Sequence, residues 1–218
     1  MNKIVVFDMD GLMFDTEPIY YKANQETADA LNIPFDYDFY QNYIGAKESD
    51  FFEAMFRKYS RSSVQQFIIE SKKNIEARLL SKPPALKKGL VELLAYLKEN
   101  GYKTVVASSS ERKLVEQLLD MTDLKAYFDD YIGGDEVTRS KPHPQIFQKA
   151  VQLVGDEQSD VLILEDSLNG IRAAYSAGFK VIMVPDLVQP TEEARMKTLD
   201  ICENLEEILI KIKSENLF

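Results

Sequence analysis

Cysteine and histidine each occur once, as Cys202 and His143. A single cysteine excludes an intramolecular disulfide and the multi-cysteine zinc sites. With one imidazole in the chain there is also little prospect of a base for that thiol, so Cys202 reads as a partly buried side chain and not as a nucleophile. Positive charge is scarce too. Against 36 Asp and Glu stand 26 Lys and Arg, a net charge of −10, which argues against general affinity for nucleic acid or anionic membrane but leaves room for local binding of an anion. No apolar run approaches the roughly 20 residues of a membrane-spanning helix, and no signal-peptide pattern precedes the first apolar run, so a cytoplasmic location is expected. Internal repeats and low-complexity tracts are absent, which removes solenoids and disordered linkers.

What is present is enough apolar material for a sizeable core: 45% of 218 residues are hydrophobic, sufficient for one domain or one domain with an insertion. Ile4-Val5-Val6-Phe7 reads as a strand buried on both faces. Similar short runs recur at Thr104–Ala107, Tyr131-Ile132, Val161–Leu164 and Lys180–Val184. They alternate with helical patterns over Gly89–Glu99, Glu111–Leu119, His143–Val154, Ser167–Ala177 and Asn204–Lys213. Such alternation predicts an α/β fold, a doubly wound parallel sheet with helices on both faces. Between the first strand and this series the pattern is helical throughout. Helices are expected from Pro18 to before Asn32, over Asp36–Tyr43, over Asp50–Tyr59 and over Ser63–Leu80, until Lys82-Pro83-Pro84 breaks the run. The expected organisation is therefore a core of residues 1–15 and 84–218 with an inserted all-helical domain of residues 16–83. The inserted segment is rich in aromatics, among them Tyr20, Tyr21, Tyr37, Phe39, Tyr40, Tyr43, Phe51, Phe52 and Phe56, most of which must build its small core.

The first strand ends abruptly in Asp8-Met9-Asp10-Gly11. In open α/β sheets ligands collect beyond the carboxyl ends of the strands. If the backbone stays extended, the i and i+2 carboxylates share a face. Two such anions about 4 Å apart repel by roughly 4 kcal/mol at an effective dielectric near 20, so a cation is expected between them, and Mg²⁺ suits an oxygen-rich set. Asp-x-Asp-Gly can equally be a turn that ends a strand. Other strand ends add candidates. Ser108, with Ser109 and Ser110, follows the second strand and could bind phosphate oxygens or cap a helix. Lys141 lies in the stiffened Ser140-Lys141-Pro142-His143-Pro144 loop, where a lysine is ordinarily a solvated charge. Glu165-Asp166 repeats the acidic ending of the first strand and would complete a metal site.

In order and context these segments resemble the haloacid dehalogenase-like hydrolases. Phe7-Asp8-Met9-Asp10-Gly11 with Asp15-Thr16-Glu17-Pro18 is similar to that family's first motif, Ser108 to the second, Ser140-Lys141-Pro142-x-Pro144 to the third, and Glu165-Asp166-Ser167-x-x-Gly170 to the fourth. The resemblance implies a Rossmann-like core, with Asp8 as the nucleophile that forms an aspartyl-phosphate and Asp10 as general acid/base. It further implies Mg²⁺ held by Asp8, the backbone carbonyl of Asp10 and Asp166, with Glu165 as a ligand or just behind the ligands. Ser108, Ser109 and Lys141 would bind the phosphate. The helical insertion matches the family's cap in the subgroup of β-phosphoglucomutase and the phosphoglycolate and sugar-phosphate phosphatases. The expected activity is Mg²⁺-dependent hydrolysis of a small phosphorylated metabolite, a sugar phosphate above all, with the cap reading the leaving group. A β-phosphoglucomutase-type isomerase is the alternative. That enzyme's histidine in the first cap helix is replaced here by the region of Tyr20 and Tyr21, and the arginine after its cap-loop glycine by Ala46-Lys47. Tyr20 and Lys47 are accordingly the cap residues expected to meet substrate. A receiver-like signalling domain, also built on a phosphorylatable aspartate, fits less well because receivers lack a large helical insertion. Oligomeric state is not set by the sequence.

Overall fold

The structure is a computed structural model that describes residues 3–43, 48–155, 159–214 and 217. The chain forms two compact units, one of residues up to Asp15 together with those from Ala85 onward, the other of Thr16–Pro84.

Strand β1 (Lys3–Phe7) opens the first unit. The second unit then follows as helices α1 (Glu17–Ala30), α2 (Tyr37–Tyr40), α3 (Glu48–Lys58) and α4 (Arg61–Ser81). Pro18 lies in the first turn of α1, where a missing N–H costs nothing. Asp36 and Ser60 cap α2 and α4 by accepting bonds from Phe39 N and Ser63 N, which satisfies donors that a helix start leaves open. The helix expected over Asp36–Tyr43 breaks into α2 and a 3-10 turn, Gln41–Tyr43. The core of this unit joins Ala28, Ile33, Phe35, Tyr40, Phe51, Met55, Val64 and Phe67. Its hub includes a ring that the helical pattern does not single out: Phe35, in the connection after Pro34, lies 5.8–6.2 Å from the rings of Tyr21, Phe39, Tyr40, Phe51 and Phe67. Tyr37 and Phe56, by contrast, are exposed.

The first unit resumes with α5 (Leu90–Glu99), β2 (Lys103–Ala107), α6 (Arg112–Met121), β3 (Asp130–Ile132), α7 (Gln145–Val154), β4 (Asp160–Glu165), α8 (Leu168–Ser176), β5 (Lys180–Met183), α9 (Glu192–Lys197), β6 (Asp200–Ile201) and α10 (Leu205–Ser214). The six strands run in the order β3-β2-β1-β4-β5-β6, and every pairing is parallel. This is the doubly wound α/β sheet that the alternation predicts. Central β1 is paired on both sides, and its Ile4, Val5, Val6 and Phe7 are fully buried, each such side chain contributing roughly 1.5–3 kcal/mol. One face of the sheet packs Ile4, Val6, Val105 and Ile163 against Ile146, Phe147 and Ile171 of α7 and α8. On α5, Leu90, Leu93, Leu94 and Leu97 are all buried, as their spacing predicts.

Helix α9 and strand β6 are not foreseen from the sequence. The strand is two residues long and the helix six, both too short for periodicity to register. Helix α7 starts at Gln145, later than His143, because Pro144 occupies its N-cap position. Among the described residues no helix is long and apolar enough to cross a membrane.

Candidate active site

Three neighbouring strands deliver the candidate residues. Asp8 is the first residue beyond β1, and its N–H still donates to Leu164 O of β4 at 3.0 Å. Ser108 directly follows β2, and Glu165 closes β4 with Asp166 next to it. Because β1 lies between β2 and β4 in register, these ends come together at one edge of the sheet, where the fold class predicts ligands.

The extended course expected through Asp10 is not followed. The strand stops at Phe7, and Gly11 takes φ +81°, a left-handed conformation suited to glycine. The turn closes through Gly11 N–Phe14 O at 2.9 Å. The two aspartates therefore face different partners. Asp8 accepts from Lys141 Nζ. Asp10 accepts from Ser110 Oγ at 3.2 Å and, more weakly, from Ser108 Oγ at 3.5 Å. Ser108 Oγ in turn accepts from Ser110 N at 3.0 Å. Ser108 is thus tied to Asp10 and does not cap a helix; the N-cap of α6 is Glu111.

Lys141 is not the solvated charge its loop position suggests. Its side chain is 7% exposed, and the ammonium is shared between Asp8 and Glu165, the latter at 2.6 Å. The peptide bond between Lys141 and Pro142 is cis. Glu165 is wholly buried and held at both oxygens, since Oε2 accepts from Ser167 N at 2.8 Å and from Ser167 Oγ at 2.9 Å. The same hydroxyl accepts from Gly170 N at 3.1 Å, capping α8. Gly170 is required here, because a Cβ at that position would stand 1.7 Å from Glu165 Oε1.

Asp8, Glu165 and Asp166 offer carboxylate oxygens that lie within 4.8 Å of one another. Burial pushes the Asp8 carboxyl up to about 8, against the pull of Lys141 and with Glu165 and Asp10 adding to the rise. Asp166 is likewise raised well above the usual range by burial, then by Glu165 and Asp8, with a further contribution from Asp186. Burial alone would lower the Lys141 pKa; Asp8 and Glu165 outweigh it and hold the ammonium charged. Buried carboxylates thus outnumber the ammonium among them, and a hard dication with oxygen preference matches both the donor type and the charge deficit.

Of the expected site residues, Asp8, Asp10, Ser108, Lys141, Glu165 and Asp166 share one network of bonds and charges. Ser109 is exposed beside it. Tyr20 is half-buried on α1 of the other unit, and Lys47 lies outside the described residues. Two residues carry contacts that the sequence does not assign. Ser110 bonds to Asp10, for which the Ser108–Ser110 run is a signal, although it does not say which hydroxyl points inward. Asp186, beyond β5, bonds to Lys87, and nothing local announces that pair.

A family model described as haloacid dehalogenase-like hydrolase matches residues 5–184. The phosphorylated carbohydrates phosphatase of Thermotoga maritima is 32% identical over 182 residues, covering 82% of this chain and 82% of that protein. The β-phosphoglucomutase of Bacillus subtilis is 29% identical, covering 84% of this chain and 83% of its own. The solved structure of CbbY from Rhodobacter sphaeroides in complex with phosphate superposes with a TM-score of 0.78 at 26% identity, covering 95% of this chain and 96% of the other. Fold, strand-end acids and relatives agree, and the chain belongs to the haloacid dehalogenase-like hydrolases.

Proposed function

We propose that the chain is a Mg²⁺-dependent phosphatase that hydrolyses a small phosphorylated metabolite, a sugar phosphate in particular, through an aspartyl-phosphate on Asp8. The observation that carries this reading is the sharing of buried Lys141 between Asp8 and Glu165, with Asp166 completing an acidic cluster beside them. With Mg²⁺ held beside it, an aspartate so placed would be ionised yet poorly solvated, which favours attack on phosphorus.

In the first step a carboxylate oxygen of Asp8 bonds to phosphorus and the bond from phosphorus to the leaving oxygen breaks, while Asp10 delivers a proton to that oxygen. In the second, water attacks phosphorus, Asp10 takes the proton, and the bond to Asp8 breaks to release phosphate. Lys141 and Ser108, with the exposed Ser109, bind the remaining phosphoryl oxygens, and Ser110 holds Asp10 in place. Magnesium, when held by Asp8, Asp166 and the Asp10 carbonyl, supplies positive charge against the phosphoryl group. Glu165 orients Lys141. The unit of Thr16–Pro84 serves as the cap that selects the leaving group, with Tyr20 and Lys47 as contributors.

Similarity to the phosphorylated carbohydrates phosphatase supports hydrolysis. The β-phosphoglucomutase relative keeps a second reading alive, in which the phosphoryl group returns to a bound sugar. A phosphate-release screen over sugar phosphates, phosphoglycolate and nucleotides, run with Mg²⁺ and with chelator, tests the first. Conversion of glucose 1-phosphate to glucose 6-phosphate faster than phosphate release would reverse the order. Asp8→Asn should abolish turnover with the fold retained by circular dichroism, and residual turnover would refute Asp8 as nucleophile.

A further inference from the structure

Asp186 stands in the loop after β5, near Asp166 of the acidic cluster. The space that a side chain on Gly11 would fill is bounded by two carboxylates: a Cβ there would meet Asp166 Oδ2 at 2.3 Å and Asp186 Oδ2 at 3.4 Å. With no side chain on Gly11, nothing from that residue shields one carboxylate from the other. The Asp186 side chain is 12% exposed, so solvent screens its charge weakly. Its other oxygen accepts from Lys87 Nζ at 2.5 Å, and Lys87 also lies 3.7 Å from Asp15. Lys87 is itself fixed, because its N–H donates to Met13 O at 2.9 Å while Asp15 N donates to Ala85 O at 2.9 Å. These bonds flank the antiparallel bridge between Phe14 and Leu86.

From this arrangement we infer that Asp186 and Lys87 form an opposed pair of positioning charges that sets the cation affinity of the neighbouring acidic cluster, Asp186 strengthening it and Lys87 restraining it. The inference rests on the reading of Asp8 and Asp166 as Mg²⁺ ligands. Neither Asp186 nor Lys87 is assigned a part in the chemistry. Their effect reaches the cation through the field at Asp166.

Opposite signs give the test. Mg²⁺ is titrated calorimetrically into the chelator-treated full chain, at low salt and at high salt. Asp186→Asn should weaken the dissociation constant about tenfold and Lys87→Met should tighten it about threefold, as expected for one charge removed at partly screened range. Lys87→Arg should restore parental affinity. The Lys87 difference should shrink more at high salt than the Asp186 difference, because the Lys87 side chain is 26% exposed and that of Asp186 12%. A purely structural pair would weaken binding in both variants and would not respond to salt, and either that outcome or two unchanged constants overturns the inference. Asp166→Asn, run alongside, separates the two levels. Loss of binding there with no effect at 186 or 87 defeats this inference alone. Parental binding by Asp166→Asn, or none by the parent, defeats the metal reading beneath it.

Discussion

Replacing Gly170 by alanine separates steric demand from helix propensity within the candidate site. Gly170 is the third residue of α8, and an exposed helix position would gain about 1 kcal/mol from Gly→Ala. Here the added methyl would stand 1.7 Å from Glu165 Oε1 and 2.4 Å from Oε2. The carboxylate must move, and it is held by Lys141 on one oxygen and by two donors of Ser167 on the other. Losing one or two hydrogen bonds to a charged group costs about 1.5–3 kcal/mol each. The expected net result is destabilisation of roughly 2–3 kcal/mol, the opposite sign from propensity. Urea unfolding of the parent, Gly170→Ala, Glu165→Ala and the double variant closes a thermodynamic cycle. With Glu165 truncated, the methyl has room, and Gly170→Ala should become neutral or stabilising by up to about 1 kcal/mol. Equal effects of Gly170→Ala in both backgrounds would refute the argument that Glu165 dictates this glycine.

Other outcomes follow from the same contacts. Lys141→Met should remove turnover and, by leaving Asp8 and Glu165 buried without their ammonium, destabilise the fold by about 3–5 kcal/mol in urea unfolding. Asp8 has its carboxyl pushed up to about 8 by burial, so between pH 4 and 8 the folded chain keeps a proton that the unfolded chain has released. In chelator its stability should therefore fall as pH rises through that window. Added Mg²⁺ favours the ionised acid, so its stabilising shift in melting temperature should be larger at pH 8 than at pH 6; the reverse order would contradict a raised Asp8. Phe51→Ala, which removes a ring lying 5.4–6.2 Å from those of Phe35, Phe39, Tyr40, Tyr43, Phe52 and Phe67, should cost about 3–5 kcal/mol in unfolding experiments.

The order of elements and the acidic strand ends were legible because both rest on local pattern. Val5-Val6-Phe7 before Asp8, and Leu162-Ile163-Leu164 before Glu165, mark where burial stops and chemistry begins. Helix α9 and strand β6 were not legible, since β6 is a strand only by pairing with β5. The role of Ser110 against Asp10 depends on the turn at Gly11, which an extended reading of Asp8–Asp10 does not contain. Phe35 could not be ranked above the other rings, because its place at the hub comes from five partners scattered along the sequence. The pairing of Asp186 with Lys87 spans 99 positions, a distance at which no motif operates.

Glu165 and Asp166 are adjacent in sequence and both acidic, yet their surroundings assign them different work. Every oxygen of Glu165 is occupied: Lys141 at 2.6 Å on Oε1, Ser167 at 2.8 and 2.9 Å on Oε2. Held by three donors, the carboxylate cannot turn without breaking charge-assisted bonds. Among the described residues the Asp166 side chain receives no hydrogen bond, while burial and neighbouring acids raise its pKa. It is the member of the pair with an open coordination site and an unbalanced charge. On that ground Glu165→Gln should misplace Lys141, raising the KM for the phosphorylated substrate, and weaken Mg²⁺ binding only through the charge it removes, about tenfold as for Asp186→Asn. Asp166→Asn should weaken Mg²⁺ binding directly. If the two variants lost cation affinity equally, the division between the support and the ligand would fall.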